Sequence, residues 1–103
     1  MKCYVECDIA AVIIEVPDFV ALRIKKYRNQ FLDWMYNKNN KHKYWTKGID
    51  SEGKEFVGVC YDVDAFVEWL NERIIKGKYE SAKVIERDLD YNDCPEGMIR
   101  IFF

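Results

Sequence analysis

The chain has 103 residues, half of them hydrophobic and a third charged, with a formal net charge of −2. That is the composition of one ordinary globular domain, residues 1–103, with room for a single core, and it excludes a chain that binds nucleic acid through its overall charge. Aromatic side chains make up 16% of it, and their large buried area per residue helps so small a domain reach stability.

Met1-Lys2 leads straight into alternating residues, not into the apolar core of a signal peptide. The longest uncharged apolar run, Ile9 to Ile14, is far below the ~20 residues that span a bilayer. The expectation is a soluble cytoplasmic protein whose four cysteines stay reduced.

From the N-terminus, Cys3, Val5, Cys7 and Ile9 share one parity, with Tyr4, Glu6 and Asp8 on the other, the pattern of a half-exposed strand. From Ala10 to Val16 both parities are apolar. A hairpin there lacks a glycine or asparagine turn signal, so residues 3–16 are read as one long or bulged strand. Pro17 and Asp18 open a helix. Val20, Ile24, Tyr27, Phe31 and Trp34 form its apolar stripe, which ends within Asn37-Lys38-Asn39-Asn40.

Tyr44 and Trp45 then start a hairpin that turns at Asp50-Ser51-Glu52-Gly53 and returns over 54–61. Gly58, inside the return strand, suggests a bulge or the close approach of another backbone. Asp62 stands as an N-cap and Gly77 as a C′ glycine around a second helix, whose face is Val63, Phe66, Val67, Leu70 and Ile74. Residues 81–91 fit a strand with Ile85, Leu89 and Tyr91 on one parity and Glu86, Asp88 and Asp90 on a wet one. Ala82, Ile85 and Leu89 also fit a helical face, but the turn residues 93–97 favour the strand. Met98 to Phe103 is a last strand, expected to pair back on 81–91.

The resulting order, β-α-β-β-α-β-β, predicts an α+β domain: one mainly antiparallel sheet with its first and third strands central and parallel, and two helices packed on one face. The order of elements resembles the ferredoxin-like split βαβ arrangement, a superfold that hosts many unrelated functions.

The residues that carry chemistry point to binding. Cys3 and Cys7 lie ~13 Å apart along a strand, too far to share a metal whose bonds to sulfur are ~2.3 Å. Cys60 and Cys94 lie elsewhere, Cys94 in a loop where a thiol reagent should reach it most readily, and His42 is the single histidine. No metal or cofactor is expected. No nucleophile, base and stabiliser come together in any motif, so catalysis is not expected either.

Two charged regions remain. Residues 80–96 hold six acids against two bases, and 38–47 hold four lysines and no acid. Oppositely charged ends favour oriented docking on a protein partner or on a second copy of the chain, with Trp69, Glu86, Asp88, Asp90 and Asp93 as contact candidates and the apolar C-terminal strand as a sticky edge. An accessory, regulatory or inhibitor-type (immunity-type) protein fits this description. The alternative is a single-stranded nucleic-acid binder using Lys41, Lys43, Tyr44, Trp45 and Lys47, because lysines track phosphates while interleaved rings stack on bases.

Overall fold

A computed structural model of the chain describes residues 1–7, 10–90 and 93–103. Expectations for Asp8, Ile9 and Tyr91 fall outside the described residues. The first correction comes at once: residues 3–16 are two strands. β1 (Lys2–Cys7) and β2 (Ala10–Glu15) run antiparallel, Cys7 opposite Ala10 and Cys3 opposite Ile14. The continuous apolar run reflects burial on both faces of a central strand, which erases alternation without lengthening the strand.

The first helical segment is broken, with α1 at Asp18–Ala21 and α2 at Ile24–Tyr36. Arg23 leaves the helical region at φ −126°, ψ 25°, and Leu22 at the break is 71% exposed. No glycine or proline marks the break. The stripe survives it, with Val20, Ile24 and Phe31 buried.

The hairpin forms as expected, from β3 (Trp45–Ile49) and β4 (Glu55–Val59), but as a two-stranded sheet of its own. Asp62 then caps α3 (Val63–Trp69), its side chain accepting a hydrogen bond from the Ala65 amide at 3.2 Å. The helix continues as a π-helical stretch, Leu70–Ile75, closed by Lys76 N–H donating to Asn71 O at 2.9 Å. The wider turn shifts the inward face by one residue, so Ile75 is buried where 3.6-residue spacing points to Ile74. Gly77 has φ +72°, the left-handed conformation expected of it.

β5 (Lys83–Leu89) is a strand, as expected, and pairs antiparallel with β2. Its register shifts twice, and Asp88 adopts φ +60°, so the even wet row of Glu86, Asp88 and Asp90 does not form. β6 (Ile99–Phe102) does not return to β5. It runs parallel to β1 at the opposite edge, giving the order β5-β2-β1-β6. A bulged, charged strand is a poor template for pairing, whereas β1 offers a regular edge.

The ferredoxin-like order β-α-β-β-α-β-β is therefore corrected. The elements run β-β-α-α-β-β-α-β-β, and two sheets replace the single one. What stands is a small α+β domain, and no helix among the described residues is long and apolar enough to cross a membrane.

Helices cover one face of the four-stranded sheet. Cys3, Val5, Ile14 and Ile101 pack there against Val20, Ile24, Phe31, Phe66 and Leu70. Because β5 and β6 lie at opposite edges, their connection must cross the other face, where Cys94 and Met98 pack on Tyr4, Ala11 and Ile13. This is why Tyr4 and Glu6, expected to be wet, are 0% and 4% exposed.

The thiols follow from this arrangement. No disulfide joins the four cysteines; Cys3 is buried, Cys7 and Cys94 are half-buried and Cys60 is exposed. Cys60, not Cys94, is the most accessible. Burial pushes the Cys3 thiol up from 9.0 to about 11. In a timed reaction with a thiol reagent at neutral pH, Cys60 should react first and Cys3 only as the chain unfolds. Between pH ~9 and about 11 the unfolded chain ionises Cys3 and the folded chain does not. The stability this group contributes should therefore be intact below that window and lost as pH rises through it. A Cys3 that labels as fast as Cys60 would contradict the buried placement.

Candidate functional site

The lysine-rich segment is held by the end of α2 and by His42. Asn40 Nδ2 donates to Trp34 O at 2.8 Å, and Trp45 Nε1 donates to Asn40 O at 2.7 Å. His42 Nε2 sits 2.9 Å from Met35 O, and Nδ1 accepts from the Tyr44 amide at 3.2 Å. That pairing puts the ring proton on Nε2. The His42 ring stacks on Trp45, with centroids 5.2 Å apart and planes 3° from parallel. The single histidine is thus a strut that aims the first strand of the ribbon.

The five nucleic-acid candidates separate. Lys43 and Tyr44 turn toward α3, where Lys43 Nζ lies 3.2 Å from Glu68 Oε2 and Tyr44 Oη donates to the same oxygen at 3.1 Å. The Glu68 carboxylate holds the Lys43 ammonium above its ordinary range, while burial raises the Tyr44 phenol, with Glu68 adding to it. Neither side chain is poised for phosphate. Lys41 and Trp45 do come together: with Lys38 and Val57 they line an open cleft of about 340 Å³. Lys47 lies on the same ribbon face as Trp45 and faces Val57 across the ladder. Lys38, Lys41 and Lys47 make no ion pair among the described residues.

The ribbon leaves much apolar surface uncovered. Ile49 is 70%, Val57 59% and Phe56 50% exposed. Sequence reasoning missed these three. The signal available was a return strand with apolar residues on both parities, in a sheet whose two helices were expected to cover only one face. The ribbon also accounts for the elongated outline, with a radius of gyration of 15.0 Å and extents of 46 × 32 × 19 Å, against about 13 Å for a compact chain of this length.

The protein-docking candidates fare unevenly. Trp69 is corrected: it is 6% exposed, packs on Phe31 and Phe66, and its Nε1 has no hydrogen-bond partner among the described residues. Glu86, Asp88, Asp90 and Asp93 are exposed at one edge of the larger sheet and beyond it. Tyr4 Oη donates to Asp90 O, fixing the end of that edge. Arg87 forks onto Asp64 at 2.6 and 2.9 Å, tying β5 to α3 and holding the Asp64 carboxyl below its usual range.

Among the described residues no group of three or more His, Cys, Asp or Glu side chains is placed to hold a metal ion. No known protein family, no curated protein and no solved structure matches the chain.

Proposed function

We propose that the protein works by binding rather than by catalysis, and that the β3–β4 ribbon is its docking element for a protein partner. The observation that carries this reading is the exposure of Ile49, Phe56 and Val57 on one projecting hairpin. Ile49 and Val57 share one ribbon face with Lys47, close to Lys38 and Lys41, and Phe56 adds apolar surface on the other face; exposed apolar area bordered by charge has the anatomy of an interaction patch. The lysines favour a partner with acidic residues around an apolar centre. The acidic group Glu86, Asp88, Asp90 and Asp93 is a second surface of opposite sign, suited to a basic partner. A cytoplasmic setting suits four cysteines with no disulfide between them.

The test is affinity capture from the extract of the source cell with the wild-type chain and with Ile49→Asp, a change on an exposed position that leaves the core intact. A protein retained by the first and lost by the second supports the reading; equal retention by both sinks it.

One observation favours a second reading. Trp45 shares a cleft with two lysines that are not ion-paired among the described residues, the pairing of ring and charge that single-stranded nucleic acid uses. Labelled single-stranded RNA and DNA, titrated at two salt concentrations, decide it. Binding that weakens steeply with salt and is lost in Lys38→Gln/Lys41→Gln supports this alternative.

A further inference from the structure

We infer that the free edge of the ribbon binds a second copy of this chain, by antiparallel pairing of β4 with β4 about a two-fold axis at Val57, leaving the lysines outside the pairing. The inference rests on the reading of the ribbon as the docking element. Its independent support is the free edge of β4 and the glycine within it.

The alternation of the hairpin ladder decides which groups are free. Cys60 N–H donates to Tyr44 O at 2.9 Å, and Asp50 N–H donates to Lys54 O at 2.9 Å. The even-numbered residues of β4 therefore bond inward to β3. Glu55, Val57 and Val59 turn their amides and carbonyls outward, on the side of β4 where no further strand pairs among the described residues. An antiparallel partner centred on Val57 pairs Val57 with its own counterpart and Glu55 with Val59, using all three outward-facing residues.

Gly58 gives the register its meaning. On the same face, Gly48 has an internal reason to be glycine: a Cβ there would fall 2.4 Å from the Phe56 ring, which lies over it. Gly58 has none. Its φ is not positive, and a Cβ there would meet nothing within 4 Å. A glycine inside a strand weakens it and often marks the close approach of another chain. Pairing about Val57 sets Phe56 of each copy directly opposite Gly58 of the other. Each Phe56 then has a glycine opposite it on both sides, and because its ring lies over its own Gly48, the space above Gly58 stays open for the second chain.

The other strand edges are guarded. β3 paired with itself about its centre would set Lys47 against Lys47, like charges directly opposed. β5 is broken by two register shifts and carries exposed charges. At β6, Arg28 Nη1 donates to the Phe102 carbonyl at 3.2 Å. From Phe56 to Val59, β4 has no charge, no proline and no register shift, so it lacks the usual devices that prevent edge pairing. A pairing that uses the same surface on both copies closes as a dimer and does not propagate.

The interface is small, so the dissociation constant should be on the order of micromolar. Sedimentation equilibrium on the full chain should show a concentration-dependent shift from one to two chain masses. Gly58→Glu sets a carboxylate opposite Phe56 of the other copy and on the diagonal from its own counterpart, while its Cβ meets nothing within 4 Å in its own chain. It should weaken the dimer at least ~10-fold without lowering the monomer's denaturation midpoint. Val57→Glu, which opposes like charges at the axis but faces Lys47 within its own chain, should do the same. A wild-type chain that stays monomeric at about 1 mM, far above that affinity, overturns the pairing, as does a dimer indifferent to both variants. Either result leaves the extract capture with Ile49→Asp to judge docking on a different protein.

Discussion

Replacing Phe31 by alanine should cost about 3–5 kcal/mol, a large share of the roughly 5–15 kcal/mol that holds a domain of this kind together. The Phe31 side chain is 0% exposed. Its ring centroid lies 5.3 Å from Phe66, 5.5 Å from Tyr61, 5.7 Å from Phe103 and 5.8 Å from Trp69. These rings come from α3, the segment before it and the C-terminus, so Phe31 is where α2 meets everything else. Truncation loses the transfer energy of the ring and leaves a cavity that four rigid neighbours cannot close. Urea denaturation should show the midpoint falling by ~2 M or more with little change in slope. Leu22→Ala, at an exposed position on the same helical segment, should cost under about 0.5 kcal/mol. A Phe31→Ala loss below about 1 kcal/mol would mean that the ring cluster is not the centre of the core.

Phe31 was legible because helical periodicity survives local error. Val20, Ile24 and Phe31 face the core even though the helix breaks at Leu22 and Arg23. Asp62 and the turn at 50–53 were legible for a similar reason: each depends on side-chain chemistry within a few residues. Apart from the helix break and the π-helical turn, the failures were long-range. Whether Cys7 continues into Ala10 or folds back beside it depends on what covers the second face, and that cover comes from Cys94 and Met98 near the other end of the chain. The edge that β6 chooses depends on the bulges of β5, and no local pattern announces them. The π-helical turn moved the inward face from Ile74 to Ile75, and Trp69 is buried by its packing on Phe31 and Phe66, which helix spacing alone does not reveal.

The candidate site was half legible. Lysines alternating with rings did mark a place where charge and an aromatic surface meet, since Lys41 and Trp45 share a cleft. Lys43 and Tyr44 were lost to it because Glu68, more than twenty residues away, takes both. Gly58 was visible as an anomaly in a strand, but its meaning needed the contrast with Gly48, whose Cβ position the Phe56 ring occupies. Alternation decides which residues share a face. It does not say whether a helix will come to cover that face, and this is why Ile49, Phe56 and Val57 went unnoticed as surface.

The second large effect lies on a pair that sequence patterns placed in water. Glu6 is 4% exposed on β1, and Arg100 on the neighbouring β6 donates to Glu6 Oε1 through Nε at 2.9 Å and again through Nη2. The carboxylate in turn holds the guanidinium above its already high range. The Arg100 side chain is 39% exposed, so water shares its charge while Glu6 depends on it. Arg100→Met keeps most of the apolar stem and removes only the charge, leaving a buried carboxylate unpaired. Breaking a fully buried pair from one side costs about 3–5 kcal/mol; with one partner partly in water, about 2–3 kcal/mol is expected. Glu6→Leu combined with Arg100→Met should recover most of that loss, because a buried ion pair adds little over apolar groups of similar size. Urea titrations of the wild type, both single variants and the double variant close the cycle. If the double variant is as unstable as the sum of the two singles, the pair is not coupled and Glu6 must be sustained by something other than Arg100.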